Sequence, residues 1–221
     1  MYSKLQYISQ GTTAIEQFEN IKSALDAGCG WIQLRFKNCE NKNLIELAEK
    51  VKKIYSSYNA TFIMNDNVEV AKNIDADGVH LGLQDMSITQ ARNILGKNKI
   101  IGGTANTLSD VMMRINENCN YIGLGPFRFT SAKEKLSPVL GLEGYKSIMK
   151  NLTLQKFSKL LKCMNAPVYA IGGITIDDVS SLINTGVYGI AVSGAITNHP
   201  NKKELIQKFN SLLHEKINNC R

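Results

Sequence analysis

Two cations and an amide occupy alternate positions in Gln33-Leu34-Arg35-Phe36-Lys37. Alternate side chains on an extended segment share a face, so Gln33, Arg35 and Lys37 point the same way. A guanidinium is a planar fork for phosphate oxygens, and an ammonium is a compact point charge. The trio suits a phosphorylated ligand; the plainer alternative is a strand end running into solvent. Asn65-Asp66 and Asp85 follow the next two apolar runs. Two carboxylates on neighbouring units can hold Mg²⁺, which takes a few carboxylate oxygens and completes its shell with water and substrate phosphate. Helix capping is the alternative for both, since both precede helical patterns. Beside Arg35 and Lys37, a metal–diphosphate site is the better reading. His80, inside an apolar run, reads as a core histidine rather than a ligand.

A second group suits a single phosphate. Gly172-Gly173 and Ser193-Gly194 follow the seventh and eighth apolar runs. Glycines let backbone N–H groups approach an anion closely. Thr104, after the fifth run, and Thr130, Ser131 and Lys133, after the sixth, are further candidate contacts. Lys133 can meet the far side of a diphosphate; the alternative is a solvated surface lysine.

The elements that must position these residues repeat one pattern eight times. Candidate strands run Leu5–Ser9, Trp31–Phe36, Thr61–Asn65, Gly78–Leu81, Ile100–Gly103, Tyr121–Gly125, Val168–Ile171 and Gly189–Ser193. Each is short and rich in Ile, Val, Leu or Tyr, as buried parallel strands are. Amphipathic segments lie between them: Leu44, Leu47, Ala48 and Val51 share one apolar face. Thr175-Ile176-Asp177-Asp178 reads as a capping box opening the seventh helix. Eight such units in 221 residues predict an α/β fold, a TIM (β/α)₈ barrel forming a single domain over 1–221. An open doubly wound sheet is the alternative, but no Gly-x-Gly-x-x-Gly follows the first strand. Active sites of such barrels lie at the carboxyl ends of the strands, where the candidates above fall. The longest irregular stretch, about 128–142, follows strand six, and loops of that length are often functional.

Lys and Arg exceed Asp and Glu by 26 to 19, a net charge of +7. The excess can attract polyanions, but the lysines are scattered and form no aromatic-interleaved stripe, which argues against nucleic acid. The five cysteines form no Cys-x-x-Cys spacing and are odd in number. They make neither a disulfide framework nor a zinc cluster and fit a reducing cytosol. The segment Met1–Ile8 lacks the apolar core of a secretion signal, and no apolar run approaches a membrane span. The expectation is a cytoplasmic protein with small-molecule partners and no membrane partner, with homo-oligomerisation left open.

These motifs resemble those of the thiamine phosphate synthase family, in order and over nearly the whole chain. The family's Gln-Leu-Arg-x-Lys is met at Gln33–Lys37, and its Asn-Asp at Asn65-Asp66. Gly-Val-His-Leu-Gly-Gln-x-Asp is met from Gly78 to Asp85, except that Leu83 replaces glutamine. Gly-Leu-Gly-Pro is met at Gly123–Pro126 and Ala-Ile-Gly-Gly-Ile at Ala170–Ile174. The resemblance implies that hydroxymethylpyrimidine diphosphate is joined to a thiazole phosphate, with release of pyrophosphate. The implied chemistry is dissociative: the diphosphate leaves first, and the thiazole nitrogen captures a pyrimidine-methyl cation. Arg35, Lys37, Lys133 and Mg²⁺ on Asp66 and Asp85 then stabilise the leaving charge, while Gln33 and Asn65 orient substrate.

The chain departs from the family pattern in two more places. The family loop commonly reads Phe-Pro-Thr-x-Thr-Lys, whereas Ala132 here stands where a second threonine is usual. Ser131 or Arg128 is expected to compensate for the missing hydroxyl. Gly194 stands where the family often has serine, so phosphate contact there falls to backbone amides. Two rival readings remain. A thiazole tautomerase-like relative needs a histidine after strand five, where Thr104, Ala105 and Asn106 stand. A non-catalytic barrel that binds phosphate ligands draws on Leu83 and Ala132.

Overall fold

Side-chain alternation within each apolar run decides what the run can become. In β2 (Trp31–Leu34), Trp31 and Gln33 face one way, Ile32 and Leu34 the other, and all four are buried. A strand buried on both faces needs cover on both, which a closed parallel sheet ringed by helices supplies. The structure, a computed structural model, describes residues 2–129, 138–157 and 166–215.

The strands are β1 (Leu5–Ile8), β2, β3 (Thr61–Asn65), β4 (Gly78–Leu81), β5 (Ile100–Ala105), β6 (Tyr121–Leu124), β7 (Val168–Ile171) and β8 (Gly189–Val192). Each pairs in parallel with the next, and β8 returns to β1 with Leu5 opposite Ile190 and Tyr7 opposite Val192. The expected TIM barrel is therefore what the chain forms. Its helices are α1 (Ala14–Asp26), α2 (Asn41–Tyr55), α3 (Val68–Asn73), α4 (Ile88–Leu95), α5 (Leu108–Asn116), α6 (Gly141–Phe157), α7 (Val179–Ile183), α8 (Gly194–Thr197) and α9 (Lys202–His214). Leu44, Leu47, Ala48 and Val51 are all buried on α2, as their spacing predicts. Among the described residues no helix is long and apolar enough to cross a membrane.

Outward strand residues such as Ile32, Val79, Ile122 and Ile190 join the helices in the main core. Inward residues at the amino-terminal end form a separate cluster of Trp31, Ile63, Tyr121 and Tyr169. The indole of Trp31 meets the rings of Tyr121 and Tyr169 edge-on, with centroids 5.0 and 5.3 Å away. This plug fills one end of the barrel and leaves the other to polar side chains.

Strand ends differ from the sequence reading. β2 stops at Leu34, so Arg35 and Lys37 lie beyond it rather than on it. The reason lies in tertiary contacts: the Arg35 N–H donates to Ser9 Oγ at 2.9 Å, and its carbonyl accepts from Gln17 Nε2 at 3.1 Å. Side chains have replaced the strand ladder there. β1, β6 and β8 each stop one residue early, and β5 runs on to Ala105. The Thr175–Asp178 capping box is present, but it opens a 3₁₀ turn (Ile176–Asp178) that leads into α7.

Candidate active site

The carboxyl ends of the strands surround a cavity of about 590 Å³. Gln33, Arg35, Lys37, Asn65, His80 and Thr104 line one side of it. Gly172, Gly173, Ser193 and Gly194 line it too, from the loops after β7 and β8. The alternation argument thus holds for its outcome, since Gln33, Arg35 and Lys37 share one cavity even though the strand ends before two of them.

Gln33 is almost fully buried, and its Nε2 donates to Asn65 Oδ1 at 2.8 Å. Its Oε1 is buried with no partner among the described residues. An unpaired buried acceptor costs free energy.

Asp66 and Asp85 meet, although neither lines the cavity wall directly. The Asp66 carboxyl is pushed above its ordinary range, first by burial and then by the Asp85 carboxylate in hydrogen-bond contact with it. Lys37 Nζ, 3.1 Å from Asp66 Oδ2, opposes that rise. Asp66 also holds a left-handed backbone, φ 61°, with its N–H bound to the His80 carbonyl at 2.8 Å. Asp85 Oδ2 accepts the Gly82 N–H at 2.6 Å. Helix capping does not explain this pair. Asn67 caps α3 through Val70 N–H at 2.9 Å, and Ser87 caps α4 through Gln90 N–H at 3.2 Å. Two carboxylates forced together suit a divalent cation. Among the described residues no cluster of three or more His, Cys, Asp or Glu side chains forms, so a cation there would draw its remaining ligands from water and substrate.

On the opposite side, Gly172 and Gly173 both have positive φ, 99° and 68°. A Cβ at Gly172 would stand 2.8 Å from Pro126 Cα, and one at Gly173 2.4 Å from Arg128 Cγ. The turn admits glycine because the segment after β6 lies directly upon it. Phe127 N–H donates to the Ile171 carbonyl at 2.8 Å, and Arg128 N–H to the Gly172 carbonyl at 3.0 Å. Leu140 and Gly141 return onto the Pro126 and Phe127 carbonyls. Thr130, Ser131, Ala132 and Lys133 lie outside the described residues.

Arg128, one of the two residues expected to compensate for Ala132, is engaged by other partners. Its guanidinium grips Asp178 with both nitrogens, at 2.6 and 2.7 Å, and Nη1 also bonds the Gly173 carbonyl at 2.8 Å. It is a clamp between two loops. His80 is a core histidine as read, with Nδ1 3.0 Å from the Tyr121 hydroxyl and Nε2 3.0 Å from Thr104 Oγ1. What sequence reasoning missed is that it also lines the cavity. The signal was its place one residue from the end of β4, on the inward-facing alternation.

A family model described as thiamine monophosphate synthase matches residues 6–196. The thiamine-phosphate synthase of Flavobacterium psychrophilum is 58% identical over 213 residues, 96% of this chain and 100% of that protein. That of Flavobacterium johnsoniae is 55% identical over 98% of this chain and 99% of its own length. Among solved structures, a thiamine phosphate pyrophosphorylase from Pyrococcus furiosus superposes with a TM-score of 0.78, at 30% identity and 96% coverage of both chains.

Proposed function

The chain belongs to the thiamine monophosphate synthase family, and from that premise we propose which of its residues perform each part of the reaction. The reaction is that of a transferase in thiamine biosynthesis: hydroxymethylpyrimidine diphosphate and a thiazole phosphate become thiamine phosphate and pyrophosphate. The observation that carries the residue reading is the cavity itself. Cationic and carboxylate groups stand on its β2–β4 side, and a glycine-built anion cradle stands across from them.

The pyrimidine diphosphate enters on the β2–β4 side. Gln33 and Asn65 orient it at the strand ends, with Thr104 beside them. Arg35 and Lys37 bind diphosphate oxygens, and Lys133 completes the clamp from the loop after β6. Asp66 and Asp85 hold Mg²⁺; the facing carboxylates and the raised Asp66 value fit a cation. When bound, the metal supplies positive charge against the diphosphate oxygens. Backbone amides near Gly172, Gly173, Ser193 and Gly194 take the thiazole phosphate, with Thr130 and Ser131 as further contacts.

The carbon–oxygen bond to the diphosphate breaks, and its electron pair leaves with pyrophosphate. The thiazole nitrogen then donates its lone pair to the pyrimidine-methyl cation. Fixed cations do most where charge develops, and Arg35 and Lys37 sit ready for the leaving group before the bond breaks. Placing both substrates in one cavity removes much of the entropy of bringing them together. We also read the barrel as one domain, since β8 closes on β1, and the setting as cytoplasmic, which the free thiols of Cys29, Cys39 and Cys119 support.

Pyrophosphate release from the two substrates, with and without Mg²⁺, tests this reading. Release that needs both substrates and the metal is expected. Binding of both without release would move the non-catalytic barrel ahead. Turnover of the thiazole alone without metal would favour a tautomerase.

A further inference from the structure

A hydrogen-bonded chain crosses the barrel beneath the cavity, and the roles above use only its last member, Thr104. It links Gln6 on β1, Tyr121 on β6, His80 on β4 and Thr104 on β5. Gln6 Nε2 donates to the Tyr121 hydroxyl at 3.3 Å, and that hydroxyl lies 3.0 Å from His80 Nδ1. His80 Nε2 lies 3.0 Å from Thr104 Oγ1. All four residues are buried.

The order of donors follows from counting protons. The Tyr121 hydroxyl is fully buried, and among the described residues it meets Gln6 and His80. With Gln6 donating, the phenol's own proton needs His80 Nδ1 as its acceptor, because a buried O–H without one carries its whole desolvation cost. A neutral imidazole that accepts at Nδ1 bears its proton at Nε2. Nε2 therefore donates to Thr104 Oγ1, and the threonine proton is turned into the cavity that Thr104 lines. Arg114 Nε fixes the Thr104 backbone through its carbonyl at 3.1 Å.

Room for this chain is built into the strands. A Cβ at Gly102 would stand 2.1 Å from Tyr121 Cζ, and one at Gly123 3.1 Å from His80 Cε1. Glycine inside a strand weakens it, and here each leaves space for a ring of the chain. The cavity floor then offers a donor at Thr104. A hydroxyl donor there matches a ring nitrogen of a heteroaromatic ring.

We infer that His80 is a positioning residue: held by Tyr121 in one tautomer, it makes Thr104 a hydrogen-bond donor to a ring nitrogen of the pyrimidine. This rests on the synthase reading and names what selects the ring. The chain has three histidines, His80, His199 and His214, so ¹⁵N-histidine labelling resolves His80 by comparison with His80→Gln. The imidazole shifts should show a protonated Nε2 and a bare Nδ1, a pattern lost in Tyr121→Phe. A protonated Nδ1 in the wild type overturns the proposal without any turnover being measured.

Kinetics form the second arm. Tyr121→Phe and Thr104→Val should raise the KM for the pyrimidine diphosphate about tenfold and leave the KM for the thiazole phosphate unchanged. Thr104→Ser, which keeps the hydroxyl, should behave like wild type. Equal rises in both KM values mean a merely structural role, and no rise in either also overturns the proposal. If the wild type releases no pyrophosphate, the synthase reading itself fails, while the ¹⁵N result still decides the tautomer.

Discussion

Asp66 concentrates several costs in one residue. Its backbone is left-handed without being glycine, a conformation that typically costs about 1–3 kcal/mol. Its carboxyl is buried against a second carboxylate, with Lys37 as the partial remedy. A bound cation would relieve the repulsion, and strain of this kind is tolerated at ligand sites. Asp85→Asn separates the effects, because its remaining side-chain oxygen can still accept the Gly82 N–H. Without metal the variant should be as stable as wild type, or more so. Mg²⁺ should raise the melting temperature of wild type but not of the variant, whose turnover should fall on the order of 10²-fold, as for lost stabilisation of developing charge. Thermal melts with and without Mg²⁺, alongside pyrophosphate release, check this. An undiminished Mg²⁺ effect would place the metal elsewhere.

Between elements, the decisive contact is the clamp from the segment after β6 to the turn after β7. Arg128 reaches both Asp178 and the Gly173 carbonyl, so the candidate phosphate cradle and the base of the loop leading to Lys133 are fastened together. Burial raises the Asp178 carboxyl, but its bonds from Arg128 and Thr175 outweigh that, and the net position is below the ordinary range. A depressed carboxyl contributes stability that is present above the unfolded value, near 4, and lost as pH falls through the lower folded value. Asp178→Asn should therefore lower stability by about 1 kcal/mol at pH 7. The gap from wild type should narrow as pH falls below the ordinary carboxylate range; denaturant titrations at neutral and acid pH measure it, and a gap independent of pH would sink the ion-pair account. Gly173→Ala adds a Cβ at positive φ against Arg128. It should cost about 1–2 kcal/mol and raise the KM for the thiazole phosphate more than that for the diphosphate.

At the scale of the whole barrel, large rings and missing side chains alternate. Trp31, Tyr121 and Tyr169 crowd the amino-terminal end, and Gly102 gives Tyr121 its space. Gly102→Ala would put a methyl inside the Tyr121 ring, and overpacking of a filled core costs typically about 1–3 kcal/mol. Tyr121→Val should relieve part of that loss in the double variant, at the price of activity. Trp31 is the only tryptophan and is fully buried among these rings, so its fluorescence reports barrel opening directly. Strictly additive losses in the two variants would mean that Gly102 and Tyr121 do not compete for the same space.

The sequence by itself determined where every strand begins, because apolar runs buried on two faces leave a pattern that does not depend on partners. It also determined that Gln33, Arg35 and Lys37 look into one cavity, since side-chain alternation survived the end of the strand. Where strands stop was decided by tertiary structure, as at Arg35, whose backbone groups are taken by Ser9 and Gln17 from other units. The meeting of Asp66 with Asp85, and the transfer of capping to Asn67 and Ser87, likewise depend on how two loops bend. Arg128 pairs with Asp178, far away in the chain, through a bidentate geometry that no local pattern encodes. His80 reads as core from its neighbours in the chain; only closure of the barrel brings Tyr121 to one of its nitrogens and Thr104 to the other.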